Sequence, residues 1–205
     1  MKKRDDIDPE RTWVTSDSHF GHENIKAFCH RPPDVEQTMM EKWARAVPPA
    51  DTLLHLGDLS WKGNAWFKNM IAPHLTGDRK LLIRGNHDKG RPSFYTQSGF
   101  KLIAPFEIEY ATPLGITQVS LSHYPWSEID DGARQPENYV RIHGHIHNNG
   151  YTRDAFVPFF KNHINISVEQ TKYRPINLKL LLDGYIYGKV DEEVARQIRE
   201  RQGVF

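Results

Sequence analysis

Between residues 141 and 150 the chain reads RIHGHIHNNG, with His143, His145 and His147 at alternate positions. In an extended segment residues two apart point to the same side, so three imidazoles compete for one face. Crowded ring nitrogens of this kind suit a metal ion, and further donors recur in short polar clusters. These are Asp17 and His19 in DSH, Asp58 in GD, Asn86, His87 and Asp88 in GNHD, and His123 in SH. Carboxylate, imidazole and amide donors together favour borderline ions such as Mn²⁺, Fe²⁺ or Zn²⁺ over Ca²⁺ or Mg²⁺ alone. Taken singly, each cluster reads as a turn with a capping Asp or Asn, or as an ordinary core or surface histidine. Their joint occurrence is what points to a metal site.

Each cluster closes an apolar run, which says what must position it. TWVTSDSH reads as a buried strand ending in polar residues, DTLLHLGD as a second and KLLIRGNHD as a third. Between them, DVEQTMMEKWARAV carries Val35, Met39, Trp43 and Ala46 at helical spacing, with Asp34 and Gln37 as a capping pair. GNAWFKNMIAPHL is a second helix, capped by Asn64. Strands alternating with helices argue for a parallel or mixed sheet. From about residue 100, FEIEY, TPLG and ITQVSLSHY read as an antiparallel hairpin. YVRIHGH, HINISVE and INLKLLLDGYIYGKV continue as strands in the same style, and DEEVARQIRER closes the chain as a helix with Asp191 as N-cap. Because ligands in open α/β sheets gather outside the carboxyl ends of strands, the polar clusters can converge on one site.

Composition narrows the class. A chain of 205 residues is expected to form a single domain, residues 1–205, with no repeat or linker to divide it. The 27 basic against 26 acidic side chains lack the electrostatic footprint of a dedicated nucleic-acid or membrane binder. Cys29 is the only cysteine, which excludes an intrachain disulfide and a thiolate zinc site. No apolar run approaches the length of a membrane span or a secretory leader, so a cytoplasmic location is expected.

In their order along the chain, DSH, GD, GNHD, SH and GHIH resemble the five motifs DxH, GD, GNH[DE], H and GHxH of the calcineurin-like metallophosphoesterase superfamily. The resemblance runs from Asp17 to His147 and implies an α/β fold, a two-layered mixed β-sandwich flanked by helices. It also implies two divalent metal ions, manganese foremost with iron, zinc or nickel as alternatives. One would be held by Asp17, His19 and His147, the other by Asn86, His123 and His145, with Asp58 bridging. Two ions about 3.5–4 Å apart neutralise the charge that makes phosphoesters resist attack and lower the pKa of a bridging water for in-line displacement. Asp58 and His87 are then the catalytic candidates: His87 stands beside the metals without binding them and protonates the leaving oxygen. His145 and His147 point to one side so that each meets a different ion, Gly144 permits close backbone approach, and His143 packs within its strand.

Other histidines get plainer readings. His55 is structural within its strand, His74 follows Pro73 at a helix end, and His30 and His163 have no partner in sequence. His22, in HFGHENI, falls where members of the superfamily place a substrate-facing loop. Tyr124, Trp126 and Arg84 flank the motifs as candidates for substrate selection, against core packing and solvated surface as the simpler readings.

The resemblance departs from the protein Ser/Thr phosphatases. Their second motif is GDxxDRG, whereas this chain has GDLSWKG with Trp61 and Lys62 in place of the aspartate and arginine. A lysine is a point charge and cannot supply the arginine fork. The compact length is similar to small bacterial and phage phosphoesterases. The expected function is therefore metal-dependent hydrolysis of phosphoesters, as a phosphodiesterase on a small or nucleotide-like substrate. The alternatives are a nucleotide phosphohydrolase or pyrophosphatase, and a scaffold that binds metal without catalysis. Nucleic acid is a less favoured partner because polyanion binding rests on cationic contacts, and no membrane partner is expected.

Overall fold

A computed structural model describes residues 1–62, 64–112, 115–125, 138–148 and 162–188. Two five-stranded sheets face each other. One is ordered β10-β2-β3-β4-β5, from β2 (Thr12–Thr15), β3 (Thr52–His55), β4 (Arg79–Ile83), β5 (Phe100–Ile103) and β10 (Ile176–Asn177). Strands β2 to β5 run parallel and β10 antiparallel to β2. The other is ordered β1-β6-β7-β8-β9, from β1 (Lys2–Lys3), β6 (Phe106–Thr112), β7 (Gly115–Leu121), β8 (Tyr139–His143) and β9 (His163–Asn165).

The alternation of side chains along a strand builds two cores from one sheet. Leu54, Leu81 and Ile83 point inward to meet Phe106, Ile108, Val119, Leu121 and Ile142 of the facing sheet. Their neighbours Leu53 and Leu82 point the other way, into a second core with Val35, Met39 and Trp43 of α2 (Val35–Ala46) and Phe94 of α4 (Pro92–Gln97). Helix α1 (Glu23–Phe28) precedes α2, and α3 (Asn64–Trp66) continues through a wide π turn over Phe67–Ile71 and a tight turn at Ala72–His74. The mixed sandwich flanked by helices is the architecture expected from the motif order.

Three local expectations fail. INLKLLLDGYIYGKV is not a strand beyond Asn177: it becomes α5 (Leu178–Gly188). Leu178, Leu182, Tyr185 and Ile186 recur at helical spacing and pack on the inter-sheet core. Asn177 Oδ1 accepts the Leu180 N–H at 3.2 Å, which starts the helix. The β6–β7 hairpin is antiparallel as expected, but β8 and β9 join in parallel instead of continuing that style. Asp34 stands at the N-cap of α2 without capping it. Its backbone is not extended (φ −91°, ψ 16°), its carboxylate meets Thr38 Oγ1 at 3.4 Å, and Gln37 turns to Glu41. The Asn64 side chain, the centre of TPLG, Trp126 and the helix headed by Asp191 lie outside the described residues. Among the described residues no helix is long and apolar enough to cross a membrane.

Candidate metal centre

Parallel pairing within both sheets brings five carboxyl ends to one edge of the sandwich, and the polar clusters follow from them. Asp17 and His19 follow β2, Asp58 follows β3, and Asn86, His87 and Asp88 follow β4. His123 follows β7, and His145 and His147 follow β8. Asp17, His19, Asp58, His145 and His147 all have left-handed backbone, with φ between 49° and 72°. Such conformations are costly away from glycine and persist where surrounding structure imposes them, commonly at functional sites. Here they turn the chain sharply enough for residues two apart to face one centre.

The side chains form two donor groups, Asp17 with His19 and His147, and Asp58 with His123 and His145, the ligand atoms in each lying within 4.8 Å of one another. Asp58 Oδ2 sits between them, 3.5 Å from His19 Nε2 and 3.5 Å from His123 Nε2. Asn86 Oδ1 lies 3.0 Å from His123 Nε2. The other nitrogen of His123 is 2.9 Å from the Leu56 carbonyl, and a proton placed there would leave the Nε2 lone pair toward the cage. Asp17 accepts from the His145 N–H at 2.9 and 3.0 Å and from Ser167 Oγ at 3.1 Å. A Cβ on Gly144 would overlap Asp17 Oδ2 and Ser16 Oγ, so glycine is required for that approach. All seven predicted metal ligands meet in this cage, and His87 borders it, with its ring 5.4 Å from that of His19.

The donors fit a metal. His19 is buried, and neither of its ring nitrogens has a hydrogen-bond partner. An imidazole left so would cost desolvation without return unless its lone pair is used otherwise. Burial lowers the His19 pKa to about 2, and burial together with the His123 charge lowers His145 to about 4, so both rings are neutral and able to coordinate. Burial, reinforced by the charges of Asp17 and Asp88 against the pull of His123, raises Asp58 to about 7. Asp17 is held well below the usual carboxylate range, because the neighbouring histidine charges outweigh its burial.

Sequence reasoning missed the groups that hold these ligands. Asp88 accepts the N–H groups of Asp58 (2.7 Å), Leu59 (3.1 Å) and Gly85 (2.8 Å), tying the end of β3 to the end of β4. Glu169, beyond β9, lies 3.1 Å from His147 Nδ1, while His147 Nε2 lies on the Asp17 side at 3.7 Å. The buried Arg31 guanidinium grips Glu169 at 2.6 Å and donates to the Ser18 and Asp17 carbonyls, each at 2.7 Å. Cys29 also lies near His147 and Glu169, but the adjacent Arg31 charge opposes a cation among those three. Burial lowers the His147 pKa, yet the Cys29 and Glu169 hydrogen bonds and the Asp17 charge prevail and raise it to about 10. Arg31 stands among largely exposed neighbours and Glu169 just after the buried run Ile166 to Val168, so neither is marked out locally, and they stand 138 positions apart.

The remaining candidates separate. His55 is structural, its Nε2 2.9 Å from Ser18 Oγ and its Nδ1 accepting the Gly57 N–H at 3.1 Å. His143 packs in β8 with its ring 5.4 Å from that of His163. His30 and His74 are exposed. Arg84 is occupied by its own loop, donating to the Asp88 and Gly90 carbonyls. Lys62 lies over the Trp66 ring. Tyr124 borders the cage, 4.9 Å from the His123 ring and 4.8 Å from that of His145. His22 caps α1 and faces Trp61.

Comparison with known proteins gives the family. The uncharacterized protein MJ1445 of Methanocaldococcus jannaschii is 29% identical over 186 residues, 88% of this chain and 94% of that protein. The gene 66 protein of Mycobacterium phage D29 is 29% identical over 160 residues, 66% of this chain and 77% of its own length. The crystal structure of AQ665 from Aquifex aeolicus, described as of unknown function, superposes with a TM-score of 0.62 at 31% identity, covering 84% of this chain and 97% of that one. The model of the calcineurin-like phosphoesterase family matches residues 10–201. With that span enclosing every motif of the cage, the chain belongs to the calcineurin-like phosphoesterase family, which implies metal-dependent hydrolysis of phosphoesters.

Proposed function

We propose that the protein is a two-metal phosphodiesterase acting on a small or nucleotide-like substrate, with manganese as the preferred ion. The observation that carries this reading is the position of Asp58 Oδ2, 3.5 Å from a ring nitrogen of each donor group. One carboxylate can then serve both ions. Asp17, His19 and His147 would hold one ion, and Asn86, His123 and His145 would hold the other. When bound, the pair supplies positive charge to the phosphoryl oxygens and lowers the pKa of a water.

The chain's own residues do the rest. Asp88 fixes the Asp58 backbone, and the His87 N–H donates to Asp58 Oδ1 at 2.8 Å, so the bridging carboxylate is oriented from both sides. The exposed His87 ring is free to approach an ester oxygen and donate a proton to it as the leaving alcohol departs. A diester is favoured over a monoester because Arg31 and Arg84 are both consumed by internal bonds. Neither can offer a fork to a terminal phosphate dianion.

The test is to measure bound metal and compare bis-p-nitrophenyl phosphate with p-nitrophenyl phosphate under Mn²⁺. Faster cleavage of the diester is expected. His87→Ala should keep metal and lose about 10²–10⁴-fold in kcat, whereas Asp58→Ala should lose metal as well. Full activity in the Asp58 variant would falsify the bridging assignment. Cleavage of a nucleoside triphosphate with both nitrophenyl esters untouched would move the reaction to the phosphoanhydride class.

A further inference from the structure

Trp61 is an unusual residue to find at the rim of a polar cage. Its side chain is 52% exposed, yet its backbone is pinned. The Trp61 N–H donates to the Phe20 carbonyl at 2.9 Å, Ser60 Oγ donates to the same carbonyl at 3.1 Å, and Phe20 and Ser60 form a parallel bridge. Beside them Gly21 has φ +82°, and a Cβ there would overlap the Lys62 side chain. The loop after β3 is thus locked onto the loop after β2. Phe20 is buried beneath, and the indole is left in the open.

The indole is also held from one side. Its ring lies 4.1 Å from that of His22 at an interplanar angle of 36°. His22 in turn is fixed by accepting the Ile25 N–H at the start of α1. On the cage side, the indole lies 5.0 Å from the His87 ring. An aromatic surface is therefore presented, already ordered, next to the residue assigned to protonate the leaving oxygen. A ring that is pinned and still half exposed loses little entropy when a planar group stacks on its open surface.

We infer that Trp61 is a stacking platform for a planar aromatic ring carried by the leaving alcohol, so that nucleoside phosphoesters are preferred over esters of sugars or glycerol. The inference rests on the phosphoesterase reading above and specifies its substrate class. Stacking on an aromatic side chain is tolerant of base identity, so the preference extends across nucleobases.

The experiment is calorimetric titration of the Mn²⁺-loaded full chain with adenosine 5′-monophosphate, ribose 5-phosphate and phosphocholine, repeated with Trp61→Ala and Trp61→Phe. The nucleotide should bind about tenfold or more tighter than ribose 5-phosphate. Trp61→Ala should bring the two together, and Trp61→Phe should keep most of the difference. Equal affinities in the native chain, an advantage that survives Trp61→Ala, or a preference for phosphocholine overturns the inference. If bis-p-nitrophenyl phosphate is cleaved but the nucleotide has no advantage, the platform alone falls. If nothing is cleaved and no phosphate binds, the phosphoesterase reading falls with it.

Discussion

The bond between His147 and Glu169 shows how one side chain sets the chemistry of another. With the His147 Nδ1 proton shared with Glu169, Nε2 is the nitrogen that would coordinate once its own proton is displaced, and Arg31 holds Glu169 while also gripping the Asp17 carbonyl. Partners of this kind typically contribute 10–100-fold to metal affinity. Glu169→Ala is therefore expected to weaken binding of one ion of the pair by about that factor, with Glu169→Gln closer to native. Two-site calorimetry with Mn²⁺ measures it, and unchanged affinity in the alanine variant would remove the role. Arg31→Met leaves a buried carboxylate uncompensated, and a loss of about 3–5 kcal/mol in urea unfolding is expected. At this scale the residues that gather at one centre were legible because motif spacing records them. Arg31 and Glu169 were not, because a lone charge in sequence does not disclose a partner 138 positions away.

At the scale of elements, the cage depends on where strands stop. Buried β2, β3 and β4 were readable as apolar runs ending in polar clusters, and they pair in parallel as expected. The segment from Ile176 was misread, since a run such as Leu178 to Leu182 satisfies both strand and helix patterns. Packing decides it. As a helix the segment buries Leu178 and Leu182 against the inter-sheet core, and Lys179 pairs with Asp183 at 2.7 Å. Asp183 also accepts from Tyr110 OH at 2.5 Å, which anchors α5 to β6. Leu182→Ala should destabilise by about 2–5 kcal/mol. Because α5 contributes no donor to the cage, metal stoichiometry should stay at the native value. Urea melts and metal analysis check the two halves, and lost metal in a folded variant would show that α5 does more than pack.

For the whole molecule, metal and protons compete for the same groups. Burial lowers His19 to about 2, His55 and His143 to about 3, and His145 to about 4, while each is protonated in the unfolded chain below its ordinary value of 6.5. The unfolded state then binds more protons, so stability of the metal-free protein rises with pH up to about 6.5. Asp58, raised to about 7, acts in the opposite sense between 3.8 and 7, and Asp88, also raised by burial, acts with it, but His22 and His87, lowered by burial, join the four histidines on the other side. His147, raised to about 10, contributes stability that is complete below 6.5 and is lost as pH climbs toward 10. Chelated protein should accordingly be most stable near pH 6.5, and a monotonic trend in urea midpoints from pH 5 to 9 would contradict this. Mn²⁺ at a hundredfold excess over its Kd should add about 2.7 kcal/mol per site. The increment should shrink below pH 7, where Asp58 takes up a proton in place of metal.

The sequence by itself pointed to the family, the parallel strands and the candidate donors at their ends, because coordination chemistry demands particular side chains and burial demands apolar runs. The tertiary structure alone decided that Asp58 lies between the two histidine groups, that Arg31 and Glu169 orient His147, that α5 is a helix, and that Trp61 stands half exposed beside His87. Each of these is a relation between segments distant along the chain. Such relations are set by how two sheets pack and where their loops lock together, which local pattern does not encode.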